Sequence, residues 1–377
     1  MIKFLLILKI FLFKIIKLNL AFLKNEVSGY PDTVKKFEEK FAKFIGKNYG
    51  LTFCNGTSSI EAAIYALNFS SDTEILTTSS NFHASIGPIK NLNCKPVFVD
   101  IDKNTLTIDC IDLKKKITSK SKALLVVHPW GYPCNMDEIY KIVKDNNLKL
   151  IEDCSHSHGA SYNNKMIGNF SDISCFSLQG AKSIKAGEGG ISLTNNKDYF
   201  LRMSAYGHFN RHEKDLEQNN DLKKFSKTGI SKKLRAHPLG ISLATVDFEN
   251  LIKLNEFKNE IYNKIDKIIL DYELIRTMKL NEKAQRGGFF GGYPIIFEDE
   301  TKTDQIRKIF LKYKIEIHPY HWNLHHKMNL FNKEEIILPV TEEIINKFFL
   351  IKIPFFLNFN FKNFKDCLDD CKRNKLV

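Results

Sequence analysis

The eight cysteines include no CxxC pair, which excludes the zinc modules built on that spacing. Cys367 and Cys371 stand four apart, as on one face of a helix, and reduced thiols in a cytoplasmic protein are the expectation. No dense block of lysine and arginine with interleaved aromatics occurs, so the net charge of +13 does not by itself point to nucleic acid. Scattered surface lysines, an anionic lipid surface and phosphorylated small molecules all remain compatible with it. There is no Pro/Ser-rich linker and no internal repeat. Nor is there an unbroken apolar run of about 20 residues, the length a spanning helix needs. The opening stretch "MIKFLLILKIFLFKIIKLNLAFLK" is interrupted by Lys3, Lys9, Lys14, Lys17 and Lys24 and lacks the small-residue cleavage site of a signal peptide.

What is present points to a large globular protein. With 377 residues, 43% hydrophobic and 26% charged, the chain can bury a major domain and a smaller one. On a helix the five N-terminal lysines fall within roughly 140°, leaving a wide apolar face. That face either lies in a membrane interface with the lysines on headgroups, or packs on the body of the protein or on a partner subunit. Periodicity reports burial and not the burying partner, and packing on protein is the expectation, with residues 1–24 open to a peripheral membrane contact.

From Glu26 onward, short apolar runs alternate with amphipathic segments. "TVKKFEEKFAKFIGK" has helical spacing and stops at Gly46. "EILTTSS", "KPVFVDI", "KALLVVHPW", "LKLIEDCS", "DISCFSL" and "GISLTN" have the look of buried strands, most of them separated by helical stretches. The alternation predicts an α/β fold with helices on both faces of a sheet, and ligands beyond the carboxyl ends of the strands. The predicted organisation is an N-terminal amphipathic segment over 1–25, a large domain over 26–250, and a long helix (about 240–276) leading into a smaller C-terminal domain over 251–377.

The strand ends carry the chemistry. "FCNGTSSIEAAIYAL" puts hydroxyls and free N–H groups at a helix start, an anion site suited to phosphate, although plain N-capping by Thr57 or Ser58 accounts for the same residues. "LKLIEDCSHSHGASY" delivers Asp153 at the end of a buried strand. A metal bound by Asp153 with His156 and His158 is disfavoured, because no further ligand of matching local spacing follows. "CFSLQGAKSIKAGEGG" then places Lys182 and Lys185 in a small-residue turn. A phosphate cradle, a strand-end carboxylate and a turn lysine in that order call for a cofactor with a phosphate, a basic ring nitrogen and an aldehyde. Pyridoxal 5′-phosphate has all three: Lys182 forms the Schiff base and Asp153 keeps the ring nitrogen protonated, so that the ring accepts electrons.

Over nearly the whole chain after residue 25 the sequence also resembles the DegT/StrS-type sugar aminotransferases, which are fold-type I pyridoxal-phosphate enzymes. The motifs that carry the resemblance are "NGTSSIEAAIYAL", "VVHPWGYPCNMDEI", "IEDCSHSHGA", "FSLQGAKSIKAGEGG" and "TGISKKLRAHPLGISLA". It implies a three-layer α/β/α fold with a mostly parallel central sheet and a smaller C-terminal α+β domain. It further implies that Thr57, Ser58 and Ser177 hold the phosphate, that Phe82 stacks on the pyridine face, and that His156 lies near the ring's 3-hydroxyl. Within the F-S-x-x-x-x-K spacing, Lys182 and not Lys185 is the Schiff-base residue. Where many relatives have G-x-N-x-R, this chain has "SKKLR", so Lys233 takes the place of an asparagine that reaches the phosphate of the neighbouring subunit in a homodimer. The resemblance implies ping-pong transfer of an amino group from L-glutamate or L-glutamine to a keto-sugar, often nucleotide-linked, a keto-cyclitol, or a small keto-phosphate such as dihydroxyacetone phosphate. "YGHFNRH", "LRAHP" and "HPYHWNLHH" offer cations for an acceptor phosphate, with Arg235 and His325 as the substrate candidates. A class of sugar dehydratases in the same family has histidine in place of the lysine, and Lys182 argues against it. A non-catalytic descendant of the fold is the remaining alternative.

Overall fold

The computed structural model describes residues 2–320, 323–331, 335–354 and 358–377. Its centre is a seven-stranded sheet: β1 (Tyr49–Phe53), β2 (Glu74–Thr78), β3 (Lys95–Val99), β4 (Ser121–Val127), β5 (Lys149–Asp153), β6 (Ile173–Ser177) and β7 (Gly190–Thr194), in the spatial order β1-β7-β6-β5-β4-β2-β3. Strands β2 to β6 pair in parallel, and β7 runs antiparallel to both β6 and β1. The carboxyl ends of β1, β2, β5 and β6 therefore share one edge, the edge where ligands sit in such sheets.

Six of these strands are the six apolar runs singled out in the sequence. They are buried on both faces, which is why they show near-continuous hydrophobicity and not alternation. The sequence reading missed β1, whose "YGLTF" contains a glycine and whose first two residues are only half-buried. Helix α1 (Ile2–Leu23) lies against the helix Pro238–Glu249, and one face of the sheet is covered by helix α2 (Asp32–Ile45) and its neighbours, with Phe37, Phe41, Phe176 and Leu193 in one cluster. The other face is covered by helix α3 (Gly56–Ala66), whose Ile60, Ala63 and Ile64 meet Leu51, Ile151 and Cys175. Helix α2 ends as predicted at Gly46, which adopts φ 84° and closes the last turn onto Ala42 and Lys43.

The C-terminal part holds an antiparallel four-stranded sheet: β8 (Ile275–Arg276), β9 (Tyr293–Phe297), β10 (Ile317–Pro319) and β11 (Phe348–Ile351), ordered β8-β9-β11-β10. It packs against the helices Thr303–Lys312 and Phe361–Arg373 in a core of its own; Cys367 and Cys371 are buried there, and all eight cysteines are free. The single helix expected over 240–276 is instead two helices, Pro238–Glu249 and Leu251–Ile269. Asn250 breaks them: its N–H bonds to Asp247 and its side chain to the Val246 carbonyl, closing the first helix.

The apolar side of α1 does not pack on the body of its own chain as expected. Lys3 pairs with Glu260 and Lys14 with the buried Asp247, so the lysine-bearing side faces inward, with Leu6, Ile10 and Ala21 beside it.

A buried ion pair ties α2 to the segment after the helix Lys197–Gly207. Glu38 accepts from Arg211 Nη2 at 2.6 Å, from Tyr30 Oη at 2.7 Å, and from the Thr52 N–H and hydroxyl at 2.7 Å each. Removing one partner of such a pair strands a buried charge, so Arg211→Ala is expected to lower stability by about 3–5 kcal/mol. Urea unfolding midpoints of the two proteins check this.

Candidate active site

The shared strand edge gathers the predicted residues. Asp153 ends β5 and is buried; its Oδ2 accepts from Ser85 Oγ at 2.6 Å and its Oδ1 from the Ser155 N–H at 3.0 Å. Two donors hold this carboxylate in one orientation at the mouth of the sheet. Ser177 ends β6, and the start of α3 lies against it. A Cβ added at Gly56 would stand 2.8 Å from the Ser177 Cβ, so only glycine lets the two meet. The cap of α3 is Asn55, whose side chain accepts from the Ser58 N–H at 2.7 Å. Thr57 and Ser58 are therefore not the capping residues, and both stand half-buried beside Ser177 with the positive end of the helix dipole behind them.

Lys182 lies in the turn between β6 and β7. Burial pushes its amine down to about 8 from 10.5, with the Asp153 carboxylate pulling the other way, which places that charge near it. Its Nζ lies 3.7 Å from the centroid of the Phe290 ring. His156 stacks on the same Phe290 ring, with centroids 4.0 Å apart and planes 13° from parallel, and its Nδ1 accepts from the Trp130 N–H at 3.4 Å. Burial, and next the Lys182 ammonium, hold His156 well below its ordinary range, so it is neutral at pH 7. A neutral amine is the nucleophilic form, and Lys182 is expected to react with an aldehyde at a rate that rises through about pH 8 and levels above it. Labelling of the Lys182 peptide across pH checks this; a half-rise near 10.5 would contradict it.

Phe82 follows β2 and its ring is 55% exposed toward this edge, with His83 against it at 4.0 Å. His325 is buried. Its Nδ1 donates to the Ser79 carbonyl at 2.8 Å, just beyond β2, and its Nε2 has no hydrogen-bond partner among the described residues. Arg235 bridges through its backbone to Phe53, and the Cys54 N–H bonds to the Leu234 carbonyl, so this segment runs beside the α3 cradle of its own chain. Lys233 is exposed and bridges through its backbone to His208. Of "YGHFNRH", His208 and Arg211 are buried in the Glu38 network and offer no cation to a ligand. His321 and Trp322 of "HPYHWNLHH" lie outside the described residues.

Among the described residues, His156 and His158 share no ligand cluster. The His/Glu/Cys group that does converge is His128, Glu152 and Cys154, within 4.8 Å, and Glu152 already accepts from His128, Gly168 N and Ser171 N. Three residues of the site escaped the sequence reading. Ser85 lies three positions after Phe82 in "SSNFHAS", which was the available signal. Phe290 comes from the glycine-rich "GGFFGG" loop; Gly288 there (φ 79°) sits so close to the His156 carbonyl that a Cβ would come within 2.3 Å. Trp130 holds φ 48°, a costly backbone state for a bulky residue and one that gathers at functional sites.

An anion cradle, a fixed carboxylate on the adjacent strand end and a depressed lysine between them suit the phosphate, ring nitrogen and aldehyde of pyridoxal phosphate. A GDP-perosamine synthase of Escherichia coli O157:H7 is 39% identical over 176 residues, which is 47% of this chain and 48% of the relative; the match thus spans about half the length of the relative. The fold matches an aminotransferase from Psychrobacter cryohalolentis with a TM-score of 0.86 at 21% identity, covering 96% of each chain. It also matches an E. coli GDP-4-keto-6-deoxy-D-mannose-3-dehydratase with bound hydrated pyridoxal phosphate, with a TM-score of 0.78 at 22% identity over 89% of this chain and 91% of that one. Residues 16–366 match one family along nearly the entire chain, and on that ground this protein belongs to the DegT/DnrJ/EryC1/StrS aminotransferase family.

Proposed function

We propose that the chain is a pyridoxal-phosphate aminotransferase that moves an amino group from L-glutamate or L-glutamine to the ketone of a carbohydrate-derived acceptor, in amino-sugar and surface-polysaccharide synthesis. The observation that carries this is the convergence of Asp153 and Lys182 at the ends of β5 and β6, with the amine of Lys182 depressed to about 8. When bound, the cofactor supplies the electron sink. The chain supplies the rest. Thr57, Ser58 and Ser177 bind the phosphate, Phe82 covers one ring face, and neutral His156 meets the 3-hydroxyl. Asp153 holds a proton on the ring nitrogen. Lys182 Nζ anchors the cofactor and, once released, carries the proton between the two carbons of the shift. A histidine at position 182 would leave no amine for the anchor, and the lysine here supports transfer over dehydration.

The acceptor reading rests on the relatives: a GDP-perosamine synthase among them favours a nucleotide-linked keto-sugar, with Arg235 and His325 as its contacts. Keto-cyclitols and small keto-phosphates are the other acceptors to be tried. A panel of keto-sugars, keto-cyclitols and keto-phosphates, with amino-group transfer read by mass spectrometry, tests the reading. Transfer to at least one is expected; a protein that holds the cofactor and aminates none of them contradicts it.

The exposed side chain of Lys233 is free to serve the cradle of a second copy, so the site is shared in a homodimer. Mixing Lys182→Ala with Lys233→Ala chains then restores activity, because a symmetric dimer leaves one intact site in the mixed pair, about half the normal number. If Lys233→Ala is itself impaired and subunit-exchanged mixtures stay inactive, the contact lies within one chain.

A further inference from the structure

Helix α1 is inverted. Its lysine side is pinned to the body through the Lys3–Glu260 and Lys14–Asp247 pairs, at 3.2 and 2.7 Å. Its outward side, which spans roughly 200° at about 100° per residue, is almost wholly apolar. Leu5, Leu8, Leu12, Ile15, Ile16 and Leu23 on that side are each at least 43% exposed, and Lys9 and Asn19 are its polar members. Contact with one helix of another protein buries a stripe about 100° wide or narrower, which would leave half of this face in water. A bilayer surface covers the whole arc. No helix among the described residues is long and apolar enough to cross a membrane, so α1 would lie in the interfacial plane.

Charge selects the kind of surface. The chain carries no Asp or Glu before Glu26, its net charge is +13, and Lys9 toward the edge of the apolar arc and Lys24 just past the helix end are both exposed, where headgroup phosphates would lie. We propose that α1 is an interfacial anchor that seats the protein on an anionic lipid membrane, with its outward face at the acyl boundary and the exposed Lys9 and Lys24 on the headgroups. The inner side of the same helix contributes Ile7, Ile10 and Lys14 to a cavity of about 530 Å³ whose other wall includes Lys182, Lys185 and Lys258. The anchor thus holds the candidate active site roughly one helix diameter, 10–12 Å, from the headgroup layer.

The test is co-sedimentation of the full chain, loaded with pyridoxal phosphate, with phosphatidylcholine vesicles made with or without phosphatidylglycerol. Binding to the anionic vesicles is expected, weakened by salt and reduced about tenfold or more by L5S/L12S/I16S, with the cofactor absorbance and the oligomeric state in lipid-free buffer unchanged. Lys9→Glu with Lys24→Glu should give the same loss and leave the apolar face intact, which guards against a folding defect in the serine variant. No binding to anionic vesicles overturns the proposal, as does undiminished binding by the serine variant. Dissociation of that variant into smaller species without lipid would assign the face to a second copy of the chain and also overturn it.

Discussion

Lys182→Ala abolishes turnover and leaves no reducible covalent adduct with the cofactor, whereas Lys185→Ala keeps both. The two lysines share one turn but face different surroundings. Lys182 is half-buried against Phe290 and feels the charge of Asp153. Lys185 donates its N–H to Asp247, and its ammonium lies near Lys258, whose amine is pushed down to about 8 by burial and then by Lys185. The anchor must stand at the same site as the carboxylate that pairs with the ring nitrogen, and of the two turn lysines it is Lys182 whose amine feels Asp153. Because one residue serves as both anchor and proton carrier, its loss removes two contributions at once, and the fall in turnover is expected to be on the order of 10⁴-fold or more. Steady-state kinetics and the cofactor absorbance of both variants check it. An active Lys182→Ala enzyme would refute the assignment.

Asp153→Asn slows both half-reactions by about three orders of magnitude while the cofactor still binds through its phosphate. The substitution keeps the shape, and the Ser85 hydroxyl and Ser155 N–H that now hold the carboxylate remain in place, so the fold survives. What is lost is the negative partner that keeps a proton on the ring nitrogen. In a buried site that charge is worth far more than in water, because little solvent screens it. Single-turnover rates with L-glutamate measure the effect. Rates near those of the wild type would show that Asp153 serves the strand and not the chemistry.

The parts legible in the sequence are the local ones. Buried parallel strands announce themselves as apolar runs, and Asp153 and Lys182 follow from the ends of two of them, whereas Ser177 comes from the family resemblance. What the sequence hid depends on partners far along the chain. Arg211 looked available to a substrate phosphate and is instead locked to Glu38, 173 residues away. The five lysines of α1 defined the width of its apolar face, but which side turns inward depends on Asp247 and Glu260, which no local pattern reveals. Ser85 and Phe290 belong to the site only because tertiary structure brings them to Asp153 and Lys182. Helix periodicity over 240–276 was real, but Asn250 could bond back onto its own helix and end it.

The account stands most directly on where the cofactor attaches. Reduction of the cofactor-loaded protein with borohydride, followed by proteolysis and mass spectrometry, locates the pyridoxyl group on a single peptide. The account predicts the label on Lys182; a label on Lys185 or another lysine, or a protein that binds the cofactor and takes no label, would contradict it.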